Sequence, residues 1–273
     1  MIIAQISDTH IAEKGRILHG RVDTAAFLAR AVQHLLGLSP RPDVVVATGD
    51  LVDAGRPEEY AHLRELLAPL PMPVHLIVGN HDRREALVSQ FPDHRYLPRE
   101  GFIQYVVEGY PLRLIALDTL VPGQDGGLIC AERLAWLESR LAEAPERPTV
   151  IVMHHPPFVT GIHRMDGMGL SGADALAEVV RRHPQVERVL CGHLHRPIQV
   201  RWAGTVAATA PSTAHQIWLD LREGGAPLAF TLEPPGCLIH LWRPGTGLIS
   251  HTSYTELDGP YTFRGGQKLD RAG

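Results

Sequence analysis

The chain has few cysteines, no excess of positive charge and no long apolar run. Its 273 residues include three cysteines, an odd number that forms no Cys-x-x-Cys pair typical of a zinc knuckle. Lys and Arg number 26 against 30 Asp and Glu, and the formal charge of −4 offers no basic field for a nucleic-acid polymer. We therefore expect a reducing, cytoplasmic location and a partner other than a nucleic acid.

Neither a membrane span nor a signal peptide is predicted. No uninterrupted apolar run approaches about 18 residues, and the first strand reaches Asp8 and His10 before a signal-peptide core could form. With 44% hydrophobic and 21% charged residues, the composition is that of a globular protein. The length suits one large domain, or a domain with a smaller cap.

Short apolar runs alternate with amphipathic segments over most of the chain. The runs predict strands at 2–6, 44–48, 75–78, 112–117, 149–153 and 186–191. Apolar residues three and four apart predict helices at 23–36, 57–67, 131–143 and 173–183. This alternation is typical of a layered α/β domain with helices on both faces of a sheet.

The pattern changes near residue 200. We expect a core over residues 1–200 and C-terminal strands over 201–258 that complete it and form a cap, with β pieces at 206–209, 228–232, 238–242 and 248–254. Residues 259–273 are polar and glycine-rich, which predicts a loosely held tail.

Almost every strand predicted before residue 195 ends in side chains that can bind a metal ion. Ligands of open α/β sheets lie outside the carboxyl ends of the strands, so these five loops are expected to converge. The candidate ligands are Asp8, His10, Asp50, Asn80, His154, His193 and His195. Glycines precede Asp50, Asn80 and His193, and we expect them to let the backbone turn sharply off each strand.

Seven candidate ligands exceed what one tetrahedral ion uses, and they suit two ions that share a carboxylate. A site without cysteine, built from imidazole, carboxylate and amide groups, indicates a catalytic centre for Mn, Fe, Zn or Co. Two divalent ions, two carboxylates and a hydroxide leave roughly one positive charge, which matches a monoanionic phosphodiester.

In this order the five strand ends resemble the signature motifs of the calcineurin-like metallophosphoesterase superfamily. Within it the chain is most similar to bacterial glycerophosphodiesterases and class III cyclic-nucleotide phosphodiesterases. This similarity rests on ISDTH at 6–10, GRPEEY at 55–60, HHPP at 154–157 and CGHLH at 191–195. The resemblance extends from residue 2 to about residue 216.

The resemblance implies a four-layer αββα sandwich around two ions, with a small C-terminal β cap and a homo-oligomeric state. Asp50 would bridge the ions, and a metal-bound hydroxide would attack a small phosphodiester. One ion would be held by Asp8, His10 and His195, the other by Asn80, His154 and His193. Of the remaining residues, His81 would contact the phosphoryl oxygen or the leaving group, His215 the phosphate, and Asp82 would orient a neighbouring histidine.

Some alternatives stay open. Relatives place one residue between the ligand histidine and the proline, which favours His154 over His155 as the ligand. His19, Arg21 and Arg56 could contact substrate, but a solvated loop or a surface ion pair explains them as well. A phosphomonoesterase, a nuclease or a non-catalytic binding scaffold of the same fold are the competing functions.

Overall fold

A computed structural model describes residues 1–224, 227–256 and 263 of the chain. The predicted tail at 259–273 therefore lies outside the described residues, apart from Phe263. The helices of the described part are α1 (Thr24–Leu36), α2 (Pro57–Leu67), α3 (Arg84–Gln90), α4 (Ala131–Ala142), α5 (His163–Asp166) and α6 (Ala173–Arg181).

The strands up to residue 191 are β1 (Ile2–Ile6), β2 (Val44–Thr48), β3 (Val74–Ile77), β4 (Tyr105–Val107), β5 (Arg113–Ala116), β6 (Gly127–Leu128), β7 (Thr149–Val152), β8 (Leu170–Ser171) and β9 (Val186–Cys191). Those that follow are β10 (Ile198–Trp202), β11 (Thr205–Thr209), β12 (Gln216–Ile217), β13 (Phe230–Thr231), β14 (Gly236–Arg243) and β15 (Gly247–Tyr254). Every predicted helix and strand is present, with bounds that differ by at most two residues.

The strands form two main sheets. The first has the order β15-β14-β1-β2-β3 and the second the order β10-β11-β9-β7-β5-β4. In the first sheet β1, β2 and β3 are mutually parallel, and in the second β5, β7 and β9 are. Parallel neighbours place their carboxyl ends at one edge, which is where every candidate ligand lies.

The prediction that helices cover both faces of one sheet is wrong, because the two sheets pack on each other. Leu114 and Val150 of the second sheet join the apolar cluster that contains the first sheet and α1. Their neighbours Ile115 and Ile151 join a separate cluster with α4 and α6. Successive residues of a strand point to opposite faces, so each sheet has one helical side and one side against the other sheet, in an αββα arrangement.

Buried polar contacts also join the two sheets. Gln5 of β1, which is fully buried, donates through Nε2 to the carbonyl oxygen of Cys191 at the end of β9 over 2.8 Å. The same nitrogen donates to Thr48 Oγ1 at the end of β2 over 3.1 Å. These bonds fix the relative position of three strand ends that carry candidate ligands.

The C-terminal strands go to different places. The hairpin β14–β15 extends the first sheet, because β14 pairs antiparallel with β1, whereas β12 and β13 form a separate hairpin. None of the helices in the described ranges is long and apolar enough to cross a membrane. The three cysteines, Cys130, Cys191 and Cys237, are free thiols.

Candidate dinuclear metal centre

The seven candidate ligands meet at the edge where the two sheets face each other. The first sheet supplies four of them after β1, β2 and β3, and the second supplies three after β7 and β9. Six are buried, and only Asn80 is half-buried. The members are Asp8, His10, Asp50 and Asn80 from the first sheet, and His154, His193 and His195 from the second.

One half of the cluster is formed by Asp8, His10 and His195, whose ligand atoms all lie within 4.8 Å of one another. The Nε2 atoms of His10 and His195 are 3.0 Å apart, and His195 Nε2 is 3.5 Å from Asp8 Oδ1. Two nitrogens at about 2.1 Å from a shared ion lie roughly 3.0–3.4 Å apart, so these separations suit one metal ion.

The other half is formed around His154. Its Nε2 lies 3.1 Å from Asn80 Oδ1 and 3.4 Å from Asp50 Oδ2. The same Asp50 oxygen is 3.7 Å from His10 Nε2 in the first half. Asp50 Oδ2 therefore lies between His10 of the first half and His154 of the second.

Backbone carbonyls fix which ring nitrogen faces the site. His154 Nδ1 donates to the carbonyl oxygen of Thr48 over 2.7 Å, and His195 Nδ1 donates to that of His215 over 2.9 Å. Both residues therefore present Nε2. His193 differs, because its Nε2 donates to the carbonyl oxygen of Met168 over 3.1 Å, which leaves the lone pair of Nδ1 available to a metal ion.

An orphaned oxygen supports the fit of a metal ion. Asp8 Oδ1 accepts the backbone N–H of His193 over 3.0 Å, but Oδ2 is buried without any hydrogen-bond partner. A buried carboxylate oxygen left unpaired is costly, and coordination to a cation satisfies it. Together with four imidazoles, a second carboxylate and an amide oxygen, this donor set fits divalent transition metals.

Burial and neighbouring charges shift the pKa values of the cluster in opposite directions. Burial lowers the pKa of His10, and it lowers that of His193 to about 3, so both rings are neutral and can bind a metal. Burial opposes the charged form of Asp50, yet the imidazoles, His154 first, hold its pKa well below the usual range. The Asp50 carboxylate in turn outweighs burial at His154 and raises its pKa to about 9.

The backbone of the ligand loops is strained. Five of the seven candidate ligands have φ in the left-handed region, between 42° and 70°: Asp8, His10, Asp50, His193 and His195. Each such residue costs of order 1 kcal/mol, and this kind of strain concentrates at functional sites.

The glycines before the ligands act differently from what the sequence predicted. Gly49 does adopt a left-handed φ of 86°, but Gly79 and Gly192 do not. Glycine is needed at these two positions because atoms of neighbouring loops lie too close for a Cβ. A Cβ on Gly79 would overlap Oδ1 of Asp50, and one on Gly192 would lie 2.6 Å from the carbonyl oxygen of Thr48.

His81 and His215 lie beside the cluster. His81 Nδ1 donates to the carbonyl oxygen of Asp53 over 2.7 Å, which leaves Nε2 for the cavity that the ring lines. The ring centroids of His81 and His10 are 4.6 Å apart. His215 is buried 4.7 Å from the ring of His195, and its Nδ1 has no hydrogen-bond partner. Burial lowers the pKa of His215 to about 3.

The structure shows the surroundings of the four residues whose roles the sequence left open. His155 is buried, donates through Nε2 to the carbonyl oxygen of Asp125 and accepts at Nδ1 from the Thr119 hydroxyl. Arg56 pairs with Glu13 at the surface, and Arg21 is exposed. His19 lies in the cavity wall, where its ring packs 5.1 Å from that of Phe230 and 5.8 Å from that of His215.

The prediction that Asp82 orients a histidine is wrong. Its Oδ2 accepts the backbone N–H groups of Leu51 (3.1 Å) and Gly79 (2.8 Å), and its Oδ1 accepts from the Tyr60 hydroxyl. Sequence reasoning missed Tyr60 and also Glu59, whose Oε2 accepts the N–H groups of Ala54 and Arg56. Both belong to the GRPEEY segment at 55–60, which was the available signal.

Comparisons with known proteins identify the family of the chain. The profile of the calcineurin-like phosphoesterase family matches residues 1–197. A probable glycerophosphodiester phosphodiesterase of Arcobacter nitrofigilis is 38% identical over 265 residues, 96% of this chain and 97% of the relative. A probable cyclic nucleotide phosphodiesterase of Rhodopseudomonas palustris is 38% identical over 262 residues, 93% of each chain.

The fold is also that of solved relatives. A dimetal phosphatase from Danio rerio superposes with a TM-score of 0.61 at 15% identity, over 94% of this chain and 99% of that one. The chain therefore belongs to the calcineurin-like phosphoesterase family, and the resemblance inferred from the strand-end motifs is confirmed.

Proposed function

We propose that the protein hydrolyses small phosphodiesters with the help of two divalent metal ions. The observation that carries this proposal is the convergence of seven buried or half-buried candidate ligands. One of them, Asp50, has its Oδ2 between His10 on one side and His154 on the other. In the hydrolysis a water oxygen forms a bond to phosphorus, the bond to one alcohol oxygen breaks, and a proton passes to that alcohol.

Each half of the cluster holds one ion in this proposal. Asp8, His10 and His195 would hold the first ion, Asn80, His154 and His193 would hold the second, and Asp50 would contribute to both. When bound, the ions supply positive charge that polarises the phosphoryl oxygens and lowers the pKa of water. The donor set accepts Mn, Fe, Zn or Co.

Three side chains beside the ions are proposed to handle the substrate. Asn80 lines the cavity and places the phosphate next to His81. His81 contacts the phosphoryl oxygen or the leaving alcohol through Nε2, because Nδ1 is engaged with Asp53. His215 lines the same cavity, and its ring is proposed to contact the phosphate.

The substrate class is supported by two named relatives, one a probable glycerophosphodiester phosphodiesterase and the other a probable cyclic nucleotide phosphodiesterase. We therefore propose glycerophosphodiesters or cyclic nucleotides as substrates. We further predict that the protein is a homo-oligomer and that it is located in the cytoplasm. The free thiols support the cytoplasmic location, because disulfides are rare in that compartment.

The test is a set of initial rates on a generic aryl phosphodiester and the matching monoester, with chelator-stripped protein before and after addition of Mn, Zn, Fe or Co. We expect metal-dependent hydrolysis that favours the diester. A preference for the monoester would identify a phosphatase, and absence of turnover with every metal would favour a binding scaffold.

A matched pair of variants separates the centre from general effects of charge. Asp50→Asn removes the shared carboxylate and should abolish metal-dependent turnover. Asp93→Asn removes a surface carboxylate that pairs with Arg64, and it should keep the parent rate.

A further inference from the structure

Two cavities of unlike chemistry open from the candidate metal centre. We name them the cap-side cavity, of about 450 Å³, and the α3-side cavity, of about 580 Å³. Both are lined by Asp53, Asn80, His81 and Asp125, so they join beside the proposed position of the phosphate. Each volume is within the range of roughly 300–1,000 Å³ that is usual for small-molecule pockets.

The outer wall of the cap-side cavity is apolar. The α5 segment contributes Met165 and Met168, and the β12–β13 hairpin contributes Ile217, Leu228 and Phe230. Met165 and Ile217 belong to one packed apolar cluster, which gives this wall a fixed base. The histidines of the metal centre form the floor of this cavity. An apolar group could therefore bind against the outer wall while the phosphate to which it is attached lies at the metal centre.

The α3-side cavity is polar and charged. Arg83 and Glu85 line it from the beginning of α3, and Gln124 and Asp125 line it from the opposite loop. Arg84 also lines it, but its guanidinium is held by Asp118 over 2.7 Å. Groups bound here would meet hydrogen-bond donors and acceptors of both charges, beside the apolar side chains of Leu120 and Pro122, so this cavity is the more polar of the two.

A phosphodiester carries two organic groups on one phosphorus, and the two cavities meet where that phosphorus would lie. We propose that the protein selects open, unsymmetrical phosphodiesters, with an apolar alcohol arm in the cap-side cavity and a hydroxylated or charged arm in the α3-side cavity. This inference rests on the proposed phosphodiesterase function. A cyclic phosphodiester has a single organic group, and it fills one cavity while leaving the other to water.

The experiment uses a series of glycerol phosphodiesters whose second alcohol is methanol, butanol, hexanol or benzyl alcohol, with the manganese-loaded full chain. Buried methylene groups add favourable free energy, so kcat/KM should rise at least about tenfold from the methyl to the hexyl ester, and by up to roughly 10³-fold if all five added methylenes are buried. Replacing glycerol by propanol in the hexyl diester should lower kcat/KM, and 3',5'-cyclic AMP should be a poorer substrate than the hexyl diester.

Variants locate the effect in the wall. Phe230→Ala should reduce the hexyl-to-methyl ratio of kcat/KM severalfold. Leu232→Ala removes an exposed apolar side chain two residues further along the chain, directly after the hairpin, and it should keep the parent ratio. Calorimetric titration with methylphosphonate and hexylphosphonate gives a second readout without turnover, in which the parent binds the hexyl compound more tightly and Phe230→Ala loses that difference.

The possible failures are distinct. A flat series on an active enzyme, or equal affinity for the two phosphonates, would overturn the two-cavity assignment and leave the phosphodiesterase proposal intact. Absence of turnover on every diester with every metal would overturn the proposed function, and this inference with it.

Discussion

Tyr60 donates its hydroxyl hydrogen to Oδ1 of Asp82 over 2.9 Å, at the point where two ligand-bearing loops meet. The phenolic oxygen also accepts the backbone N–H of Arg83 over 2.8 Å. Because Asp82 Oδ2 accepts N–H groups from Leu51 and Gly79, the carboxylate joins the loop after β2 to the loop after β3. A buried helix residue thus holds the relative position of Asp50 and Asn80.

The first prediction concerns the variant Tyr60→Phe. It leaves the buried Asp82 Oδ1 and the partly buried N–H of Arg83 without their partner, which costs about 1–3 kcal/mol of unfolding free energy. The loop that carries Asn80 and His81 also loses its anchor, so kcat should fall about tenfold or more. Urea unfolding and steady-state rates on an aryl phosphodiester measure the two effects.

Tyr96→Phe is the matched control. The Tyr96 hydroxyl also makes one bond as donor and one as acceptor: it donates to the carbonyl oxygen of Val74 and accepts the N–H of Leu76. It differs from Tyr60 in its position, because it lies at the beginning of β3, away from the ligand loops. We expect a similar loss of stability with kcat unchanged. Equal losses of kcat in both variants would mean that the rate follows stability and that Tyr60 has no special role.

The second prediction separates two adjacent residues, Asn80 and His81. Asn80→Ala removes an oxygen 3.1 Å from His154 Nε2, so at limiting metal the protein should bind close to one ion instead of two. His81→Ala keeps the backbone N–H that donates to Asp50 Oδ1 over 2.9 Å, so its metal content should match the parent. Turnover should still fall about 10²–10⁴-fold if the ring assists proton transfer.

Metal analysis by mass spectrometry, together with rates, distinguishes these outcomes. Loss of metal in His81→Ala would make that ring a ligand. Unchanged activity of Asn80→Ala at limiting metal would remove Asn80 from the metal centre.

The strands, and the clustering of the candidate ligands at their ends, could be predicted because both depend on local sequence. The β1, β2 and β9 strands are short apolar runs, and a polar side chain directly after such a run is visible without tertiary information. The division into two sheets could not be derived from that pattern. Strands buried on both sides have the same composition whether a helix or a second sheet covers the far side.

The sequence analysis also missed short elements and contacts between distant residues. The helix α3 has seven residues and β4 has three, too short for a periodic pattern to indicate them. The contact of Tyr60 with Asp82 joins residues 22 positions apart, and its existence depends on how α2 packs against α3. The choice of Nδ1 at His193 depends likewise on a carbonyl oxygen, of Met168, 25 residues away.

The third prediction tests close packing in the ligand loops. In Gly79→Ala the new Cβ would overlap Oδ1 of Asp50 and lie 2.8 Å from Cε1 of His154, so the bridging carboxylate must move. We expect a loss of at least about 2 kcal/mol of unfolding free energy and weaker binding of both ions. Gly37→Ala is the control, because a Cβ there meets only ordinary contacts of 3.5 Å or more and φ is −83°. Retention of the parent metal affinity by Gly79→Ala would contradict the packing argument.

The last prediction concerns acid stability and a histidine outside the metal centre. His75 of β3 is buried beside Tyr96 and Tyr105, with Nδ1 unpaired. Burial, with a smaller contribution from His94, lowers its pKa to about 4 from the usual 6.5.

Between these pH values His75 is protonated in the unfolded chain but not in the folded protein. The free energy of unfolding must therefore fall as the pH decreases from about 6.5 to 4, and below pH 4 His75 causes no further loss. Its share is about 2 kcal/mol at pH 4.5. In His75→Phe the difference in unfolding free energy between pH 7 and pH 4.5 should shrink by that amount, as measured by urea unfolding at both pH values. His251→Phe changes a histidine that is exposed on β15, and it should keep the parent difference. An unchanged pH dependence in His75→Phe would show that the folded protein accommodates the protonated ring.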